Sequence, residues 1–159
     1  MSQFCIYLTV PPYLKEYLNF HFGDPVVFSS ALPMNKVIKL YIARPPKGKE
    51  VEFPDDDQIA VAIPDQPRKP AEYFNYLSDS AKQALLESIQ HTFDVNLYND
   101  IVLSLSNGVK LMTSIRAWCE SHGISIDSDN TIKQKFYRVR DALAKQGIEL
   151  MRETKIKKE

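Results

Sequence analysis

Apolar residues come in short blocks over the first 64 positions and at helical spacing over most of the remainder. Gln3 to Val10 is rich in β-branched and aromatic residues, which suit a pleated sheet, and Pro11-Pro12 ends the run. This predicts a strand. Tyr13 to Phe22 places Leu14, Tyr17, Leu18 and Phe22 on one helical face, with Gly23 positioned to cap it. Pro25 to Phe28, Val37 to Ala43 and Gln58 to Ile63 read as three further short strands; in VIKLYIA, Lys39 is an isolated polar residue in an apolar run. Arg44 to Lys49 is a Pro- and Gly-containing loop. Four strands and one helix predict a small α/β lobe over residues 1–64 with a mostly antiparallel sheet.

Pro64, Pro67 and Pro70 punctuate the next stretch, and residues 65–76 read as a semi-rigid linker. Beyond it the pattern is helical. Glu72 to Leu77 suggests a turn of helix. Ser80 and Gln83 have the spacing of a capping box for a helix through Phe93, with Leu85, Leu86, Ile89 and Phe93 on its buried side. Leu97 to Leu105 reads as a separate helix ended by Asn107-Gly108. Leu111 to Gly123 and Asp129 to Gln146 complete an all-helical domain over 77–150, followed by a frayed basic tail over 151–159. The predicted fold class is therefore α+β.

The last two helices carry the strongest functional signal. Leu111, Met112, Ile115, Trp118 and Cys119 form a broad apolar arc, and Gly123 suits a left-handed cap. Ser125, Asp127, Ser128 and Asp129 are all good N-cap residues for the helix that follows. In that helix Ile132, Phe136, Val139 and Leu143 make a narrow apolar stripe at 100° per residue. Thr131, Gln134, Arg138 and Lys145 lie opposite, with Asn130, Lys135, Tyr137 and Asp141 on the shoulders. Lys133 and Arg140 border the stripe. Asn, Gln and Arg hydrogen-bond base edges in the major groove, and Lys and Arg hold phosphates. The expected base-reading set is Asn130, Thr131, Gln134 and Arg138. The expected phosphate-holding set is Lys110, Arg116, Lys133, Lys135 and Arg140, with Tyr137 beside them. An ordinary solvated amphipathic helix is the competing reading.

This helix pair resembles the trihelical helix-turn-helix class of DNA-binding domains, with Leu97 to Leu105 or an earlier segment as the first helix. The resemblance covers the last third of the chain. It implies insertion of the 129–146 helix into the major groove of double-stranded DNA. The connector from Gly123 to Ser128 is longer than the usual three- or four-residue turn. In its arrangement of short α/β lobe, Pro-rich segment and helical half, the chain is also similar to small proteins of bacterial phages and mobile elements. The expected function is a non-enzymatic DNA-binding protein, a transcriptional regulator or architectural factor. The alternative is a non-enzymatic assembly or protein-interaction factor. The N-terminal lobe would then serve for homo-oligomerisation or partner binding.

Charge distribution is compatible with both. The 159 residues have a formal net charge of zero. Residues 1–49 carry +4, residues 50–108 carry −8 and residues 109–159 carry +4. A basic C-terminal third suits nucleic acid; it equally suits attraction to the acidic middle. Cys5 and Cys119 each lie among apolar residues and read as buried, reduced thiols of a cytoplasmic protein. No signal-peptide pattern or membrane-spanning apolar run is seen.

Catalytic signals are weak, and no cofactor or metal is expected. Asp55, Asp56, Asp57 and Asp65 form a carboxylate cluster that reads as solvated loop. His21, His91 and His122 have no paired spacing for a metal, and each is expected near a helix C-terminus. Cys119 and His122 have helical spacing, but an inert thiol is expected. The five glycines build no phosphate-cradling loop.

Overall fold

The computed structural model describes residues 4–50 and 52–158, with side chains described as far as Gly147. The fold is α+β. In chain order it comprises β1 (Cys5–Thr9), α1 (Pro12–Phe22), α2 (Pro33–Tyr41), β2 (Gln58–Ala62), α3 (Asp79–Ser106), α4 (Leu111–Ser121), a 3₁₀ turn (Ile126–Ser128) and α5 (Asp129–Lys158). Two compact units divide the chain. The first is Met1–Thr92 with His122–Ile124, and the second is Phe93–Ser121 with Ser125–Glu159.

In the first unit β1 and β2 pair antiparallel, Cys5 opposite Ala62 and Thr9 opposite Gln58. Ile6 and Leu8 point to the core, as do Ile59 and Val61. The strands were readable from sequence by their β-branched and aromatic content and by the Pro and Asp residues that bound them; the period of two shows only in their burial. Gln3, the expected start of β1, lies outside the described residues. Of the expected strand 25–28, one parallel bridge forms, Val26 to Val61. α1 buries Tyr13, Leu14, Tyr17 and Leu18, and Gly23 ends it at φ 87°.

The expected strand Val37–Ala43 is a helix. Pro33 occupies the first turn of α2, where its missing N–H costs nothing. Met34, Ile38 and Ile42 recur every four residues and are buried to 2% exposure or less, whereas Leu40 and Tyr41 are 65% and 48% exposed. A strand would have buried alternate residues. Asn35 fixes the entry to α2, its Nδ2 donating to the buried Phe28 carbonyl at 2.8 Å. The sheet therefore has two strands among the described residues, not four.

Residues 65–76, expected as a linker, pack within the first unit. Lys69 Nζ donates to the carbonyls of Lys39 and Leu40 at the C-terminus of α2, at 3.2 and 3.3 Å. Tyr76 and Ala43 exchange backbone hydrogen bonds at 2.9 and 3.1 Å. Ala71 and Leu77 are buried.

α3 is one helix of 28 residues where the sequence suggested two. Its cap is Ser78, whose Oγ accepts from Ala81 N at 3.1 Å; Ser80, the expected cap, lies inside the helix. Ala81, Leu85 and Ile89 belong to the core of the first unit, and Phe93, Leu97 and Ile101 to that of the second. The helix ends at Gly108, φ 87°. α5 continues as helical backbone to Lys158, through the tail expected to fray. Among the described residues, no helix is long and apolar enough to cross a membrane.

Candidate nucleic-acid interface

α4 is anchored by its apolar arc: Ile115, Trp118 and Cys119 are buried to 5% exposure or less. Trp118 meets Phe93 edge to face, ring centroids 5.4 Å apart, and its Nε1 donates to Asp100 Oδ2 at 3.0 Å. Ser104 and Ser114 join their hydroxyls at 2.7 Å, tying α3 to the start of α4.

The 3₁₀ turn before α5 begins at Ser125, whose Oγ accepts from Asp127 N at 3.3 Å. Asp129 opens α5, placing a carboxylate at the positive end of the helix dipole. Ile132 and Phe136 are buried at 0% and 2% exposure, and Phe136 stacks on Tyr98 at 6.0 Å. The stripe then runs out of core. Val139 is half-buried and Leu143 is 42% exposed.

Opposite the stripe, Asn130, Thr131, Gln134 and Arg138 are all exposed. Asn130, Gln134 and Arg138 follow at four-residue spacing, one to a turn, so they form a continuous polar row. The expected phosphate holders divide into two groups. Arg116 Nε donates to Asp129 Oδ2 at 3.0 Å, Lys135 pairs with Asp94 at 3.3 Å, and Arg140 pairs with Asp141 at 3.1 Å. The Arg140 guanidinium also lies 4.7 Å over the half-buried Tyr137 ring. Each of these three cations already faces a carboxylate of this chain. Lys110 is exposed and Lys133 half-buried, and neither makes an ion pair with a described residue.

One juxtaposition escapes sequence reading. His21 Nε2 and His122 Nδ1 lie 2.7 Å apart in the first unit, though 101 residues separate them. Tyr17 lies against both rings, with centroids 4.6 and 5.7 Å away. Burial holds the His21 imidazole below its ordinary value. Next to the pair, Gly123 takes φ 71° and approaches α1 so closely that a Cβ there would lie 2.6 Å from the Phe20 ring. Residues 122–124 serve the first unit, which accounts for the long connector between α4 and α5. His91 lies within α3, away from a helix end.

Among the described residues, no group of three His, Cys, Asp or Glu side chains is placed to hold a metal. Asp55, Asp56 and Asp57 are exposed loop residues. Burial and the Asp24 carboxylate push the Cys5 thiol above its ordinary value, so it is not poised as a thiolate. Cys119 is buried at 0% exposure. Compared with protein-family models, curated proteins and solved structures, the chain matches none.

Proposed function

We propose that this protein is a non-enzymatic DNA-binding protein that inserts the N-terminal half of α5 into the major groove of double-stranded DNA, as a regulator or architectural factor. The observation that supports this reading is the exposed row Asn130, Gln134 and Arg138, with Thr131 beside it, held rigid from behind by Ile132 and Phe136. These side chains present the donors and acceptors that base edges match, at a spacing of one per helical turn. Arg138 reads a purine edge. Lys110 and Lys133 hold phosphates. Arg116, Lys135 and Arg140 shape the surface through their own carboxylate partners and contribute less to phosphate binding. Asp141 closes the row on its C-terminal side and disfavours phosphate there, so contact is confined to the first three turns.

The test is fluorescence anisotropy of the full chain with a random-sequence duplex at low and moderate salt, followed by selection of a preferred site. With about three phosphates neutralised, log K falls against log salt with a slope of about −3. Arg138→Ala weakens the selected site by about 1–3 kcal/mol. Absence of binding at low salt, or binding indifferent to Arg138→Ala, would sink the reading.

A further inference from the structure

Two imidazoles from distant parts of the chain meet at one point of the first unit. His21 lies in the last turn of α1, and His122 opens the segment 122–124 that follows α4. Their facing nitrogens, Nε2 of His21 and Nδ1 of His122, are 2.7 Å apart, and the ring centroids 4.9 Å. Both rings are held from behind. Tyr17 lies against the two of them, and Phe20 and Phe22 flank His21 at 5.1 and 6.2 Å. Gly123, pressed against the Phe20 ring, and Ile124, buried at 3% exposure, fix the backbone beside His122. Solvent still reaches the pair, since His21 is exposed and His122 half-buried.

The donor set selects the ligand. When both imidazoles are neutral, one nitrogen of the close pair donates and the other accepts. Moving the donor's proton to the far nitrogen of its own ring leaves both facing nitrogens with lone pairs, and no proton is released. Two such nitrogens on one cation stand about 2.9–3.4 Å apart, for bonds of about 2.0–2.1 Å at right-angled to tetrahedral geometry. The observed 2.7 Å needs to open by less than about 1 Å to reach that range, within reach of the exposed His21 ring. Among the described residues no third His, Cys, Asp or Glu joins the two, so the protein supplies nitrogen alone and the other positions are open to water. Imidazole without carboxylate oxygen favours zinc, nickel, cobalt or copper over magnesium or calcium.

We propose that His21 and His122 form a two-imidazole site for a divalent late first-row transition metal, which clips residues 122–124 to the end of α1. The clip joins positions 101 residues apart in sequence. A metal held only by the folded chain raises its stability by mass action.

Calorimetric titration of the full chain with nickel chloride, after treatment with a chelator, tests this. One ion binds per chain, magnesium does not, and the urea unfolding midpoint rises with nickel concentration. His21→Ala weakens binding by more than about 10-fold and removes the rise in midpoint. His21 is exposed, so this change spares the fold, which circular dichroism checks. His122→Ala has the same effect on nickel, whereas His91→Ala, at an exposed position of α3, leaves binding unchanged. A chain that takes up no nickel at millimolar concentration overturns the proposal and leaves the pair a plain hydrogen bond. Nickel binding that survives His21→Ala overturns it too, since the ion is then adventitious.

Discussion

α3 and α5 are nearly equal in length, 28 and 30 residues. Their outward faces differ. On α3 in the second unit Val95, Val102 and Leu103 are exposed. The outer face of α5 is a row of Asn, Gln and Arg flanked by lysines. The inner faces are chemically alike, Phe93, Leu97 and Ile101 in one helix and Ile132 and Phe136 in the other, all buried to 2% or less. Core packing thus accounts for the inner faces of both helices, and for Tyr98 of α3 through its stack on Phe136. The polar row of α5 is left outside the core, and it is on that row that the proposed reading of DNA rests.

The largest effect that sharpens this contrast comes from opposite sides of α3. Phe93→Ala is expected to cost about 3–5 kcal/mol in urea unfolding, because it opens a cavity against Trp118. Val102→Ala is expected to stay within about 0.5 kcal/mol, since Val102 is 39% exposed. Equal losses would erase the distinction between inner and outer face. On α5, Lys135→Ala is expected to cost about 0.2–1 kcal/mol of stability, because the Lys135–Asp94 pair is only partly buried. It should also disturb DNA binding less than Arg138→Ala does. A larger binding loss at Lys135 would mean that DNA displaces Asp94 and that the phosphate-holding set is wider.

The smallest effect concerns pH. The polar row of α5 contains no histidine, so base reading is expected to stay level between about pH 5.5 and 7.5, the range in which an ordinary histidine titrates. Fold stability should not stay level. The His21 value is lowered by folding, so the unfolded chain binds more protons in the window from the lowered value up to about 6.5. Stability is complete above that window and falls as the pH drops through it. His21→Phe should flatten the unfolding midpoint against pH; a midpoint that still falls in the same window assigns the effect elsewhere.

What was legible in the sequence was periodic and local. β1 and β2 are short apolar runs bounded by Pro and Asp residues, and α1, α4 and the start of α5 show helical spacing between recognisable ends. α2 was misread because VIKLYIA is apolar, short and rich in β-branched residues, a pattern common to strand and buried helix. The deciding signals lay outside it, in Pro33 before the run and in the four-residue recurrence from Met34 to Ile42. The continuity of α3 was not read, although Leu85, Ile89, Phe93, Leu97 and Ile101 recur every four residues straight past Asp94-Val95-Asn96. The polar row of α5 was read residue by residue, but the carboxylates that occupy Lys135, Arg116 and Arg140 were not. Lys135–Asp94 and His21–His122 depend on tertiary folding across long stretches of chain, and no spacing rule reports them.

The return of His122–Ile124 to the first unit bears on how the protein is made. Ile124 is 3% exposed there, and His122 meets His21 at 2.7 Å. A chain emerging from the ribosome N-terminus first has synthesised the whole body of that unit before these residues exist. Until α4 has been translated, that unit lacks the buried Ile124 side chain and His21 lacks its His122 partner. Biogenesis of the two units is therefore interleaved, and a nascent chain stalled within α4 exposes apolar surface that the finished protein never shows.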